Sequence, residues 1–116
     1  MGLFDSVTAV AMNCALDALS QRQRAIANNV ANLQTPGYHA QRVKFEDALK
    51  AAVSAGHGRA RATTSRSLEP TRLDGNNVNL DTEVLSNIDT GLRYQLATQA
   101  MNSQFAALRT AMRTSG

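Results

Sequence analysis

The chain has 116 residues, room for one domain, with 43% hydrophobic residues, 4% aromatic and no Trp. Nineteen of the apolar residues are Ala, and few of the remaining 31 are the aromatics that bring roughly 150–250 Å² apiece to a compact core. That balance excludes a β-sandwich or a large enzyme fold with a deep pocket, and favours long helices meeting along narrow seams. The net charge of +3 is concentrated, since residues 39–72 hold seven bases against three acids while the flanking segments are balanced or slightly acidic.

Residues 5 to about 33 predict one long helix. Ala9, Met12, Leu16, Leu19, Gln23, Ile26, Val30 and Leu33 follow alternating steps of three and four, a heptad seam with one polar member. Phe4 before Asp5 or Ser6 has the form of the hydrophobic residue and cap that open a helix. A helix of this length reaches roughly 44 Å and cannot bury its seam on itself, so it needs a partner helix. Cys14, the lone cysteine, forms no internal disulfide and reads as a small buried apolar residue. The first basic residue is Arg22, so the apolar stretch before it lacks the positive region of a cleavable secretory signal. No run of 18 apolar residues exists, and no transmembrane segment is expected.

Thr35-Pro36-Gly37-Tyr38 ends this helix, with Pro36-Gly37 suited to the centre of a type II turn. Gln41 to Glu46 alternates polar and apolar residues, as a brief strand or an extended arm, and Glu46 to Ala55 reads as a short helical turn. Residues 54–72, rich in Gly, Ser, Thr and Arg, predict a mobile linker. Asp74-Gly75-Asn76-Asn77 signals a turn, after which Asn79 or Asp81 caps a second long helix over about 81–113. Asp81 and Glu83 then lie favourably in its first turn. The expected fold is therefore all-α. Residues 1–35 and 80–116 pair as an antiparallel helical hairpin or coiled coil, and 36–79 form an arm, a flexible basic linker and a turn.

The second helix carries two stripes. Leu85, Ile88, Leu92 and Leu96 cluster on one side, and Tyr94, Met101, Phe105, Leu108 and Met112 nearly opposite. A kink near Gly91 realigns them at about 1 kcal/mol. The favoured alternative packs one end of the helix on its own chain and the other on neighbours. The seam residues are thus Leu16, Leu19, Ile26, Val30 and Leu33 on the first helix and Leu85, Ile88, Leu92, Met101, Phe105 and Leu108 on the second.

No catalytic constellation emerges. His39 and His57 lack ligand-spaced partners, and Ser6, Ser20 and Cys14 lack a nearby base. No enzyme activity, metal or cofactor is expected. The asparagines of Ala27-Asn28-Asn29-Val30-Ala31-Asn32 do need a reason, because Asn is a mediocre helix former. One reading is a polar face fraying into the turn, and the other is buried amides that set register and partner choice.

That run, continued by Thr35-Pro36-Gly37-Tyr38, resembles the N-terminal signature of the bacterial flagellar rod, hook and hook-associated axial proteins. Asp74-Gly75-Asn76-Asn77-Val78-Asn79-Leu80-Asp81-Thr82-Glu83 and Phe105-Ala106-Ala107-Leu108-Arg109 resemble that family's short rod subunits. The likeness covers residues 16–50 and 73–113. It implies a structural subunit assembling helically into the proximal rod of the motor drive shaft, with terminal helices paired as a coiled coil. It further implies export by the flagellar type III apparatus and residence in the periplasmic rod of the basal body. The implied partners are other copies, neighbouring rod proteins and the protein joining the rod to the inner-membrane ring. Asn28, Asn29, Asn32, Thr35, Pro36, Gly37 and Tyr38 become the implied assembly motif, with Asp74, Gly75, Asn76, Asn77 and Asp81 as turn and cap. Two other classes stay open from the residues alone. One is a basic nucleic-acid-binding protein using Arg59, Arg61, Arg66 and Arg72, and the other a helical-hairpin adaptor or chaperone.

Overall fold

The computed structural model describes residues 6–115, and the expected helix start at Phe4 and Asp5 lies outside them. Five elements follow in order: α1 (Ser6–Ala31), β1 (Gln41–Lys44), α2 (Glu46–Ser54), β2 (Thr63–Arg66) and α3 (Leu80–Ser115). The two long helices lie side by side. Asn29 meets Glu83 towards one end, and Ala15 shares a cleft with Ala97 further along, so they run antiparallel. The molecule is elongated, 67 × 25 × 14 Å, because α3 alone reaches about 54 Å at 1.5 Å per residue.

The middle segment departs from expectation. It is neither irregular nor a simple linker, since β1 and β2 pair as an antiparallel two-stranded sheet with Gln41 opposite Arg66 and Lys44 opposite Thr63. Residues 46–54 form a full helix, not just a turn. All four β2 side chains are exposed, so its Thr-Thr-Ser-Arg sequence carries no apolar alternation to reveal a strand. Its order comes from backbone pairing, extended when the amide of Ser67 donates to the Ala40 carbonyl at 2.7 Å. α2 closes in a Schellman turn: Gly56 (φ +91°) donates to Val53, and His57 to Ala52. At Gly58 (φ +68°) a Cβ would sit 2.6 Å from the Val7 carbonyl, so this loop lies directly on α1.

The core follows from that arrangement. Ala18 and Leu19 of α1 are buried with Phe45, flanked by Ala15, Leu49 and Ala62. α1 is covered by α3 along one side and by the middle segment along the other, so its buried face is wider than a coiled-coil seam. Ala25 and Asn29 are buried beside Ile26, whereas Gln23 is exposed and Val30 is 40% exposed. Leu16 and Leu33 are half-buried. Cys14 is half-buried, in a shallow cleft with Asp17, Gln21 and the 60–62 loop.

α3 runs as one helix through Gly91. The face it turns inward begins polar, with Glu83 and Thr90 buried, and continues through half-buried Ala97, Met101, Gln104 and Leu108. Leu85, Ile88, Leu92 and Leu96 remain 57–68% exposed. They therefore take no part in the intramolecular seam, and no kink realigns the stripes. Phe105 is 43% exposed.

Candidate functional site

The two asparagine-rich stretches meet at one end of the molecule. Asn29 is fully buried and makes all four hydrogen bonds open to an amide. Its Nδ2 donates to the Gln41 carbonyl (3.0 Å) and to Glu83 Oε1 (2.7 Å). Its Oδ1 accepts from the Gln41 amide (2.8 Å) and the Tyr38 hydroxyl (3.2 Å). One side chain on α1 thereby fixes both the outer edge of β1 and the first turns of α3. Glu83 is itself fully buried, and its second oxygen accepts from Arg42 Nη1 at 2.9 Å. The other Arg42 terminal nitrogen stands 3.8 Å from Glu69.

Asn76 and Asn77 complete the junction. An α-helix ends with carbonyls that lack intrahelical partners. Beyond the end of α1, Asn76 Nδ2 donates to the carbonyls of Asn32 and Thr35, both at 2.8 Å, while its Oδ1 accepts from the Val78 amide. Asn77 Oδ1 accepts from the Ala40 amide at 2.7 Å, and its Nδ2 donates to the Ser67 and Glu69 carbonyls. Arg72 donates to the carbonyls of Leu33 (2.6 Å) and Val78 (2.5 Å). The turn at Thr35–Tyr38 closes when Tyr38 donates to the Thr35 carbonyl, with Gly37 at φ +75° as a type II turn requires. Gly37 also donates to the Asp74 carbonyl, and a Cβ on Gly75 (φ +83°) would stand 3.3 Å from the Gly37 Cα. Two turns thus approach backbone to backbone. Asn79 then caps α3 by accepting from the amides of Asp81 and Thr82.

A second clamp lies further along α1. Arg22 donates twice to the Val43 carbonyl and forks onto both Glu46 oxygens at 2.6 and 2.8 Å, with its guanidinium 4.9 Å from the Phe45 ring centre. Arg93 of α3 reaches the same carboxylate at 3.5 Å. The hydrogen bonds from Arg22, outweighing partial burial, hold the Glu46 carboxyl at about 2, well below its ordinary 4.5. A carboxylate whose folded value is depressed contributes stability above its unfolded value, and that contribution is lost as pH falls through the folded one. Stability is therefore expected to drop between about pH 5 and 2, with Glu46→Gln flattening that limb in thermal melts. With 41% of the Glu46 side chain exposed, screening holds the effect to at most about 1 kcal/mol.

The junction is a polar lock. Its carboxylate is neutralised by a guanidinium, its amides are satisfied, and no group of three metal-ligating side chains converges among the described residues. No helix among them is long and apolar enough to cross a membrane. The family model for flagella basal body rod proteins matches residues 10–39, which end on the turn just described. The flagellar basal body rod protein FlgB of Escherichia coli is 31% identical over 81% of this chain and 84% of its own length. The FlgB of Bacillus subtilis is 30% identical over 97% of both chains, and that of Salmonella typhimurium 30% over 81% and 84%. The chain belongs to the FlgB family.

FlgB-family membership makes it a structural protein and not an enzyme. In this FlgB-family chain the structure brings Asn29, Tyr38, Gly37, Asp74, Gly75, Asn76 and Asn77 together. Asn32 and Thr35 enter through their carbonyls, and Thr35 Oγ1 bonds Asn32 Oδ1 at 3.0 Å. Asn28 and Pro36 are exposed. Asn28 contributes its carbonyl, which accepts from Asn32 Nδ2 at 2.8 Å. Asp81 does not cap α3, because Asn79 already satisfies its amide. Sequence reasoning missed Arg22, Arg42, Glu46 and Arg72 as structural residues, and read Glu83 only as a dipole partner. Arg72, grouped with the linker arginines as a nucleic-acid contact, is committed to backbone carbonyls. Glu83, Thr90 and Ala97 recur every seven residues, and that small or polar heptad row was the available signal.

Proposed function

We propose that this chain is a structural subunit of the bacterial flagellar basal body, assembling helically with copies of itself and with other rod proteins into the proximal rod of the motor drive shaft. The observation that carries this reading is the stripe of Leu85, Ile88, Leu92 and Leu96, exposed on α3 opposite the face that packs on α1. A helix whose larger side chains point away from its own chain is built to be covered by another. The junction fits the same role, because it fixes the angle at which this stripe is presented. The named relatives are rod proteins, and the antiparallel pair of long terminal helices suits a tube wall. Export by the flagellar type III apparatus, residence in the periplasmic rod and contact with the rod–inner-membrane-ring junction protein complete the proposal.

Ile88→Asp with Leu92→Asp tests it. Both side chains are more than half exposed, so helicity and melting midpoint of the purified chain are expected to stay near wild type. Each apolar side chain left uncovered forfeits about 1.5–3 kcal/mol of assembly energy, so cells carrying only the variant should be non-motile. Motile cells with intact basal bodies would sink the reading.

A further inference from the structure

β2 leaves one edge of the small sheet open. The Ser67 amide donates to the Ala40 carbonyl, and backbone groups along a strand alternate in direction, so Ser65 and Thr63 also face β1. Thr64 and Arg66 therefore aim their amides and carbonyls away from it. β1 shows the complementary parity, and its outward groups are taken. The Gln41 amide and carbonyl bond Asn29, and the Val43 carbonyl accepts from Arg22. Nothing equivalent covers β2. Among the described residues no group outside the sheet bonds the Thr64 or Arg66 backbone, and all four β2 side chains are exposed.

The edge carries charge of one sign. Residues 55–68 include Arg59, Arg61 and Arg66 and no acid. All three arginines are exposed, and none forms an ion pair among the described residues. Asp17 shares a shallow cleft with Arg61, and Asp47 shares one with Thr63, but neither acid is ion-paired. An open edge is a template for one more strand, and its charge selects which one. The β2 of a second copy brings arginines against arginines, so like charge works against self-pairing. Nucleic acid meets the arginines but offers no peptide ladder to the Thr64 and Arg66 backbone. An extended acidic segment satisfies both, its backbone pairing with the edge and its carboxylates with the guanidinium groups.

We propose that β2 is a docking edge for an extended acidic segment of a partner polypeptide, which adds as a third strand through the Thr64 and Arg66 backbone and sets its carboxylates against Arg61 and Arg66. This contact is separate from the α3 stripe and does not rest on the subunit reading. The probe is a short capped peptide of alternating Glu and Val, added to the full-length chain at concentrations too low for self-assembly. Hydrogen exchange is expected to slow at the Thr64 and Arg66 amides as peptide is added, and to level off at saturation. The same peptide N-methylated at every residue, or with Lys in place of Glu, should leave both amides unprotected. Arg61→Glu with Arg66→Glu should raise the peptide concentration needed at least about tenfold. The melting midpoint should stay near wild type, because both side chains are exposed. No slowing at the highest soluble peptide concentration, or equal slowing by the Lys peptide, overturns the proposal. Slowing of these two amides when the chain alone is concentrated assigns the edge to pairing between copies. Salt-dependent binding of a short DNA duplex in place of the peptide assigns the arginines to nucleic acid. Either result also overturns the acidic strand, and neither alters the outcome of the Ile88→Asp and Leu92→Asp test.

Discussion

Replacing Arg42 by Met is expected to lower the stability of the folded chain by about 3–5 kcal/mol, the cost of leaving a buried carboxylate without its cation. Glu83 is fully buried and keeps only the Asn29 amide once Arg42 is gone. Denaturant titration should show the midpoint fall with the slope unchanged. The second arm is decisive. Arg42→Met together with Glu83→Met removes both charges, and about half or more of the loss should return, because an apolar pair carries no desolvation penalty. A double variant as unstable as the two single losses added together would mean that the pair does not act as a unit.

Asn29→Leu carries a comparable penalty. The change preserves approximate volume but leaves the Gln41 amide and carbonyl, the Tyr38 hydroxyl and Glu83 Oε1 without this partner. Glu83 Oε1 is fully buried and costs about 1–3 kcal/mol when orphaned, and the three part-buried groups add less each, so a total of about 3 kcal/mol is expected. Hydrogen exchange reads it locally, since the Gln41 amide and the β1–β2 pairing should lose protection before the middle of α1 does. Asn28→Ala is the control. Its side chain is exposed, so the expected change is within about 0.5 kcal/mol. Equal effects at the two adjacent asparagines would refute the view that Asn29 alone of the pair holds the junction.

The asparagine clusters were visible as anomalies because Asn is poorly suited to a helix, and buried amides were one of two readings offered for them. Which asparagine is buried was not visible. Asn28 and Asn29 are neighbours with the same chemistry, and only the position of β1 against α1 separates them. The middle segment was harder. β2 is a strand of exposed Thr, Thr, Ser and Arg, held by hydrogen bonds to β1 and not by apolar burial, so a reading based on hydrophobic alternation passed over it. The roles of Arg22 and Arg72 are hidden for a related reason. An arginine that donates to backbone carbonyls leaves no mark in the sequence, because every residue has a carbonyl.

The sequence by itself determines the two long helices, the stop at Thr35–Tyr38 and the turn at Asp74–Asn77, and narrows the cap of α3 to Asn79 or Asp81, between which the structure chooses Asn79. Those signals are local: helical spacing of apolar residues, a proline that disfavours helix before it, glycines that adopt positive φ, and a side chain that bonds an amide two residues on. The tertiary structure alone decides which face of α3 turns inward. Hydrophobicity would bury Leu85, Ile88 and Leu92, yet Glu83 and Thr90 are inside and the leucines are out. Glu83 can be buried because Arg42 and Asn29, 41 and 54 residues away, meet its two oxygens. Partners that distant become neighbours only after the chain has folded, so the scarcity of core evident in the composition is made up partly by this polar lock.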